Sequence, residues 1–562
     1  MSSNSWLEMT SHLQRSWLGE DPILVQRLKE TDGSLEETEQ VLSTYAAENA
    51  GRIAAADVRA LTVSGEENPW EAVLRQANGR EWSWLEQYGL PVSEEERQLA
   101  RFLYSYPPQR CEEIGEHIVE ALLHGFISQS RDRRDRRLVR LNYCVGQEAL
   151  AQSVLASLEK RGLRAIVQQP QCLAWSGSYA MAHSADRAAC LSEETFAALQ
   201  AAYETAFADR ATELLDTCGM IGIGQFGEAA GVPEPAKDAY VPSADRRRRL
   251  MALENAKREL EARYLAPSDL SFCKVAFPNL LVGDNFPAVF DAFYQLNTMD
   301  SQRYELIQQT LIDALDCCER VELTGAAGNQ TKLTVCLAPL KDPNKDTNFL
   351  NCGGDLNIPH GELFTTPRLQ GTEGTLNVHE IYLKGVYFED LILTFQDGMI
   401  TAYGCGGCGS QEAGRAYVKE HLLQGRDTLP MGEFAIGTNT LAYAIARDMD
   451  LVPRMPILLA EKMGPHIAIG DPCFARGEDA PVYNLYDHKE MTARENERTA
   501  RRNEGGEVYT NIHTDITLAF DELERLEGVR ADGARTVILE KGRFVLPGTE
   551  ALNEPLTRRK TR

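Results

Sequence analysis

The sequence predicts a mixed fold that combines an α/β architecture with an α+β architecture in three domains. Three observations predict it. The chain has 562 residues, more than one hydrophobic core usually serves. Apolar runs alternate with amphipathic helical segments in its middle part, which is typical of a doubly wound parallel sheet. Its C-terminal part instead shows short strands joined by glycine-containing turns, the pattern of antiparallel sheet.

Residues 1–105 are predicted to form a helical N-terminal extension. Five of the six tryptophans of the chain lie in this segment. We expect them to anchor the segment by packing, because no chemically reactive side chains cluster with them. No chemistry is assigned to this extension.

Residues 106–347 are predicted to form the doubly wound α/β domain. The run CEEIGEHIVEALLHGF predicts an amphipathic helix, and LVRLNYCV, a helix from about Gln147 to Arg161 and LRAIVQQ follow it. A strand, a helix and a strand at this spacing are typical of a parallel βαβ unit. The alternation continues through KVAFP, a helix around Ser301 to Asp316, and the strands RVELTG and KLTVCL.

Residues 348–562 are predicted to form a mixed, largely antiparallel domain. Two strand pairs, LILTFQ-DG-MITAY and TVILE-KG-RFVL, are each joined by a two-residue turn ending in glycine. These turns, Asp397-Gly398 and Lys541-Gly542, suit β-hairpins. A polar insertion at about 478–506 is rich in Arg and Glu; we favour a solvated helix over a lid for it.

Composition excludes several classes of protein. The formal net charge of −25 disfavours binding to nucleic acid or to anionic lipid, since both normally require a basic surface. The N-terminus lacks the apolar stretch of a signal peptide, and no segment approaches the ~20 apolar residues of a membrane span. The 13 scattered cysteines suit reduced thiols. We therefore expect a soluble, cytoplasmic protein.

Two glycine patterns and one cysteine pair carry weak signals. Glycines at 222, 224 and 227 and at 404, 406 and 409 fit the dinucleotide-binding spacing. The first set follows a segment that we predict to be helical, and the second follows a hairpin, so a nucleotide cofactor is disfavoured. Cys405 and Cys408 lack a second cysteine pair to complete a zinc site, and we interpret their segment as a flexible glycine loop.

The C-terminal domain holds the most informative side chains. His513 and Asp515 lie two residues apart in an apolar run, so a β-strand would present both on one face as metal ligands. Three more acids and histidines lie among small or apolar neighbours: His466, Glu433 and Glu362. Each alone is explained by a salt bridge or a satisfied core histidine, whereas a bound metal accounts for all of them.

Four segments in this order, NIPHGELFTTP, MGEFAIGTN, the stretch from Glu461 to HIAIG, and HTD, resemble the thermophilic-type metalloaminopeptidases (aminopeptidase T, aminopeptidase S and relatives). The resemblance covers roughly residues 350–550, and more loosely the α/β region before it. Residues 1–105 look like an extension that typical members lack.

The resemblance implies a homodimeric aminopeptidase that releases N-terminal residues from peptides with a free N-terminus. It implies two divalent metal ions (Zn, Co, Mn or Mg) and a leucine-like preference. Glu433 is the candidate bridge between the ions, and Glu461 is either a sixth ligand or a general base. The implied metal ligands are Glu362, Glu433, Glu461, His466, His513 and Asp515.

One position departs from the family. Members carry a tyrosine seven residues after the histidine of the HIAIG motif, and Cys473 stands there in this chain. Tyr483 or Tyr486 from the following loop, or Cys473 itself, are the alternatives for its role. A thiol is a poorer hydrogen-bond donor than a phenol.

Two other functions compete with the aminopeptidase. His466, His513 and Asp515 alone would form a triad for a single Fe(II), as in ring-cleaving dioxygenases that resemble this peptidase family. The presence of both Glu362 and Glu433 argues against one metal. The second alternative is a non-catalytic metal-binding or peptide-binding homologue, suggested by Cys473 and by the extra N-terminal segment.

Overall fold

The computed structural model describes most of the chain, which divides into two compact units. The first unit comprises residues 1–106, 133–221 and 233–270, and the second comprises 107–132, 222–232 and 271–562. None of the helices described is both long and apolar enough to cross a bilayer. The described residues are 3–31, 34–128, 131–173, 183, 185–228, 239–266, 269–299, 302–352, 357–383, 386–484, 486–504 and 507–557; the side chains of 3–7, 302 and 303 are excluded.

The helices occur throughout the chain and vary widely in length. They are α1 (Ser3–Leu13), α2 (Pro22–Lys29), α3 (Leu35–Glu48), α4 (Ala50–Ala60), α5 (Pro69–Gln76), α6 (Glu94–Ser105), α7 (Pro108–Ser128), α8 (Glu148–Lys160), α9 (Glu193–Asp209), α10 (Ala211–Leu215), α11 (Ala244–Tyr264), α12 (Phe286–Asn297), α13 (Gln302–Leu315), α14 (Gln411–His421), α15 (Thr440–Asp448) and α16 (Ile457–Ala460).

The strands are concentrated in the second half of the chain. They are β1 (Leu138–Asn142), β2 (Arg164–Val167), β3 (Thr217–Phe226), β4 (Ser271–Pro278), β5 (Arg320–Gly325), β6 (Lys332–Cys336), β7 (Asp346–Thr347), β8 (Leu350–Cys352), β9 (Asn357–Ile358), β10 (Glu362–Thr365), β11 (Arg368–Leu383), β12 (Val386–Gln396), β13 (Met399–Gly404), β14 (Met431–Gly437), β15 (Pro465–Gly470), β16 (Glu490–Met491), β17 (His513–Thr517), β18 (Leu523–Val529), β19 (Arg535–Glu540) and β20 (Arg543–Phe544).

The first unit is mainly helical. Its strands β1 and β2 pair in parallel and are joined by α8, as the βαβ pattern predicts. Trp17 and Trp84 are buried, in keeping with their predicted packing role, whereas the side chain of Trp6 lies outside the described residues. At the start of α6, the Ser93 hydroxyl accepts a hydrogen bond from the Glu96 amide and the Glu96 carboxylate accepts one from the Ser93 amide. This capping box satisfies amides that would otherwise lack partners.

The second unit contains two antiparallel sheets. An eight-stranded sheet has the order β13-β12-β11-β6-β5-β18-β19-β20, and a five-stranded sheet has the order β17-β15-β14-β10-β8. Asp397 and Gly398 have positive φ angles, 44° and 67°, between β12 and β13. This conformation matches the predicted two-residue hairpin turn. Together the elements form a mixed α/β structure with several sheets.

Three local expectations differ from the structure. β5 and β6, predicted as part of the parallel region, pair antiparallel with each other, and β5 also pairs with β18. β5 and β6 form an antiparallel hairpin because only a short turn separates them, whereas a parallel pair needs a long connection. Gly222 and Gly224 lie inside β3 rather than after a helix, since α10 is short and ends at Leu215.

The third difference concerns the insertion at 478–506. Its described residues, 478–484 and 486–504, contain β16 and a single 3₁₀ turn at Thr499–Arg501 instead of an α-helix. Met491 and Asn496 are buried, and the Arg502 guanidinium lies between Asp479 and Glu495. Buried side chains and ion pairs therefore hold this segment as a packed loop.

Candidate functional site

The predicted site residues converge on one face of the five-stranded sheet. Glu433 on β14 lies opposite Ala468 on β15, and Ala468 lies opposite Asp515 on β17. His466 lies opposite Ala435, two residue pairs further along the same strands. Because paired residues and residues two apart share a face of a sheet, these side chains all project to the same side.

His513 and Glu362 complete this face. His513 is two residues before Asp515 on β17, and Glu362 on β10 lies opposite Gly437 on β14. Small residues, Gly437 among them, separate the larger ones across the face. A Cβ atom on Gly437 would lie 2.4 Å from the Glu461 carbonyl oxygen, so only glycine permits this close approach.

The turn that follows α16 packs against that glycine and carries Glu461 into the site. Glu461 is 7 % exposed, and its side chain accepts a hydrogen bond from Asn357 Nδ2 at 3.3 Å. All six residues predicted as metal ligands therefore meet in one cluster, in which five are buried and His513 is partly exposed. Sequence spacing alone did not require this, because the residues come from four strands and one turn.

The cluster contains two groups of donor atoms that share Glu433. In the first group, His466 Nε2 lies 3.5 Å from Glu362 Oε2 and 3.5 Å from Glu433 Oε1. In the second, His513 Nε2 lies 3.2 Å from Glu433 Oε2 and 3.2 Å from Asp515 Oδ1. Glu433 thus presents one oxygen to each histidine.

These separations suit metal coordination. Ligands about 2.1 Å from a tetrahedral zinc ion stand about 3.4 Å apart. Asp515 Oδ1 is buried, forms no well-directed hydrogen bond with any described residue and lies 3.2 Å from His513 Nε2, so a cation held by both atoms would stabilise it. The donor set therefore fits divalent metal ions.

Both histidines are oriented by backbone carbonyl groups. Nδ1 of His513 lies 2.7 Å from the Asp471 carbonyl oxygen, and Nδ1 of His466 lies 3.3 Å from that of Gly464. A proton on Nδ1 leaves Nε2 with its lone pair directed at the carboxylates. Metal-binding histidines commonly have this support.

The electrostatics of the cluster reflect many charges in a buried space. Burial opposes ionisation of His466, but Glu433 and Glu362 outweigh it and raise the pKa of His466 to about 9. Burial opposes ionisation of Glu433 as well, yet its hydrogen bonds to the two histidines lower its pKa. For Glu461, burial dominates, and its pKa rises to about 8 despite the attraction of Lys462. In the absence of metal, protons held by the histidines balance the carboxylates.

Lys462 is a site residue that the sequence analysis missed. It is 2 % exposed, and its Nζ lies 2.5 Å from Glu362 Oε1 and 2.8 Å from Glu461 Oε1. The sequence did contain a signal for it, because Lys462 stands beside Glu461, a predicted buried acid, in an apolar segment. A buried lysine needs carboxylate partners. This ammonium group holds the two carboxylates in position.

Cys473 reaches the second donor group. Its Sγ lies 2.6 Å from Glu433 Oε2, and with His513 it forms a set of donor atoms all within 4.8 Å of one another. Tyr483 instead forms an isolated β-bridge with Glu490 inside the insertion. Cys473, one of the alternatives considered for the family tyrosine, thus contacts the cluster directly.

The thiols elsewhere behave as expected for reduced cysteines. None of the 13 cysteines, all of which are described, forms a disulfide. Cys405 and Cys408 lie 3.8 Å apart between their sulfur atoms and form part of no donor group with a described histidine or acid. Neither belongs to the cluster around Glu433.

Comparisons with known proteins also support a metal-dependent peptidase. Residues 298–544 match the thermophilic metalloprotease (M29) family, and this range includes every donor of the cluster. No curated protein matches the sequence. Among solved structures, the chain is similar to wild-type AmpT from Thermus thermophilus, with a TM-score of 0.50 and 14% identity over 78% of this chain and 99% of that one.

The structural likeness shows a shared mixed α/β fold, and the family match shows the class of enzyme. The family predicted from the four motifs is confirmed. Residues 298–544 of this chain match the thermophilic metalloprotease family, and the match supports a metal-dependent peptidase.

Proposed function

We propose that this chain is an aminopeptidase that removes N-terminal residues from peptides with two divalent metal ions. The observation that carries the proposal is the position of Glu433, whose Oε1 faces His466 at 3.5 Å and whose Oε2 faces His513 at 3.2 Å. A carboxylate placed in this way is suited to bridge two ions. A single-ion site has no need of it.

Each ion would have its own ligands besides the bridge. Glu362 and His466 would hold the first, and His513 and Asp515 would hold the second, with Cys473 as a further donor to the second. Carboxylates with imidazoles suit zinc, cobalt, manganese or magnesium, and a thiolate favours zinc among these.

When bound, the ions would supply a water molecule of lowered pKa and positive charge for the oxyanion. Glu461 takes the proton from the attacking water and passes it to the leaving amine. In the metal-free site, burial raises the pKa of this carboxyl to about 8, and the positive charge of bound ions would favour the carboxylate form that accepts the proton. Lys462 positions the carboxylate through its 2.8 Å contact.

The negative charge of the site, through the metal ions that it would bind, explains a preference for peptides with a free N-terminus. Four carboxylates line it, namely Glu362, Glu433, Glu461 and Asp515, and one permanent cation, Lys462, offsets them. Bound divalent ions would leave room for an amine ligand at an open coordination position. A peptide amino group is such a ligand, and an internal peptide bond lacks it.

Several further features remain part of the proposal. The parallel pair β1–β2 supports a doubly wound α/β arrangement in residues 106–347, where β4 also pairs in parallel with β9 from beyond that range. The divisions at 105 and 347, a homodimer, a cytoplasmic location and a leucine-like preference are predicted from sequence and resemblance. Peptides are the expected partners, without nucleic acid or membrane.

The experiment is a hydrolysis assay on amino-acid p-nitroanilides and short peptides. Chelated protein is restored separately with zinc, cobalt, manganese or iron, and bound ions are counted. Release of N-terminal residues with about two ions at this site, lost in Glu433→Ala and His513→Ala, supports the proposal. Glu412→Gln, an exposed change on α14, is the matched control that should keep full activity.

The rival functions give different results in the same assay. One iron at this site, with oxygen-dependent ring cleavage and no peptide hydrolysis, would replace the aminopeptidase with the dioxygenase. Metal binding without hydrolysis of any substrate would instead support a non-catalytic homologue.

A further inference from the structure

A second cluster of metal-type donors lies in the first unit, outside the metallopeptidase site. It joins His12, near the end of α1, to His183 and to Asp186, the first residue of a 3₁₀ turn that ends at Cys190. Oδ2 of Asp186 lies 2.6 Å from Nδ1 of His183 and 3.2 Å from Nδ1 of His12. The two imidazole ring centroids are 4.7 Å apart.

The carboxylate at the centre of this cluster is deeply buried. Asp186 is 1 % exposed, and its second oxygen, Oδ1, is buried with no hydrogen-bond partner among the described residues. In the described part of the chain, Asp186 forms ion pairs with the two histidines alone. A buried carboxylate is stable only with a compensating positive charge.

A second carboxylate adds to the negative charge. Glu8 lies one turn before His12 on α1, and its Oε1 is 3.9 Å from Nε2 of His183. The Glu8 side chain is 59 % exposed, so solvent screens much of its charge, and the buried charge that needs compensation is that of Asp186. With both imidazoles neutral, a divalent cation would supply that compensation.

We infer that His12, His183 and Asp186 bind a structural transition-metal ion of the zinc type. Two imidazoles with a carboxylate are ligands that zinc accepts, whereas magnesium and calcium prefer oxygen ligands alone. The site goes beyond the proposed peptidase function, because none of its ligands belongs to the cluster around Glu433.

The site would fasten the N-terminal helix to a distant part of the chain. Met9 and Leu13 of α1 pack in the same hydrophobic core as Ala188 and Cys190 of the 3₁₀ turn. His12 and Asp186 are 174 residues apart in sequence. A metal that joins segments so far apart stabilises the folded state by closing a long loop.

The test counts zinc on the full chain by native mass spectrometry after chelation and reloading. We expect His12→Gln and Asp186→Asn each to lose one zinc ion per chain while peptide hydrolysis continues. The complementary variant Glu362→Gln/His466→Gln should lose hydrolysis but retain this ion. His124→Gln, a histidine on α7 that belongs to neither cluster, is the matched control and should lose none.

Thermal unfolding distinguishes loss of the zinc site from poor folding of a variant. Zinc should raise the thermal midpoint of the Glu362→Gln/His466→Gln protein, and adding His12→Gln should abolish that rise. Unchanged zinc content and an unchanged zinc-dependent rise in the His12→Gln and Asp186→Asn proteins would overturn the inference. If the wild-type protein hydrolyses no peptide but the His12→Gln and Asp186→Asn variants still lose one zinc ion, only the proposed function is overturned.

Discussion

The ammonium group of Lys462 lies 2.5 Å from Oε1 of Glu362, inside a cluster that also holds carboxylates, two imidazoles and the Cys473 thiol. The same group contacts Glu461. One cation therefore supports both a proposed metal ligand and the proposed general base, and it leaves Glu362 Oε2 directed at His466.

Replacing this lysine tests how much the site depends on it. Lys462→Met leaves two buried carboxylates without their cation, so we expect the free energy of unfolding of chelated protein to fall by about 3–5 kcal/mol. Denaturant unfolding of wild-type and variant protein measures the difference. Lys419→Met removes the lysine of an exposed ion pair with Asp427 and should change little. Equal losses in the two variants would contradict a special role for Lys462.

Glu461→Gln separates the two roles that the sequence left open. As a general base, Glu461 should be worth about 10²–10⁴-fold in kcat, with both ions retained in the variant. As a sixth ligand, its loss should instead lower the metal content. Single-turnover kinetics and metal counting on the same preparation distinguish these outcomes, and unchanged kcat with unchanged metal content would exclude both.

Cys473 should be protected from alkylation by bound metal. Its sulfur lies 2.6 Å from Glu433 Oε2, so it would coordinate an ion held by Glu433 and His513. A coordinated thiolate cannot react with iodoacetamide. Burial and Glu433 raise the pKa of the metal-free thiol, so we expect labelling of Cys473 in chelated protein to increase as the pH rises, whereas zinc-loaded protein stays unlabelled, as measured by peptide mass spectrometry. Cys317, an exposed thiol outside the cluster, is the internal control and should react equally in both states. Equal labelling of Cys473 in both states would remove it from the ligand set.

A buried carboxyl in the first unit predicts the pH dependence of stability. Glu148 is fully buried near Tyr88 and Tyr143, and burial raises its pKa from 4.5 to about 8. The folded state thus favours the protonated form. Its contribution to stability is complete below pH 4.5 and is lost as the pH rises through about 8.

Glu148→Gln mimics the protonated carboxyl and should remove this dependence. Relative to wild type, the variant should gain up to about 5 kcal/mol between pH 4.5 and pH 9. Urea unfolding of both proteins across this range gives the difference, in which the titration of all other groups cancels. Parallel stability curves for the two proteins would show that Glu148 stays ionised in the folded state.

The fold was predictable where the pattern is local. The helix in α7, the βαβ unit around α8 and the hairpin turn at Asp397-Gly398 all follow from periodicity and turn chemistry within short windows. Pairing between distant strands does not follow from such windows. The joining of β5 to β18 is one case, because some 200 residues separate the strands and many registers satisfy the same alternation.

The sequence by itself determined which donors this protein carries and which family residues 298–544 match. The strand alternation that places His513 beside Asp515 needs no more than a period of two. Only the tertiary structure decided that Glu433 faces both histidines, that Lys462 neutralises Glu362 and Glu461, and that His12 meets His183 and Asp186. The physical reason is that a donor's chemistry belongs to its residue, whereas its partners are chosen through space by the packing of segments far apart in the chain.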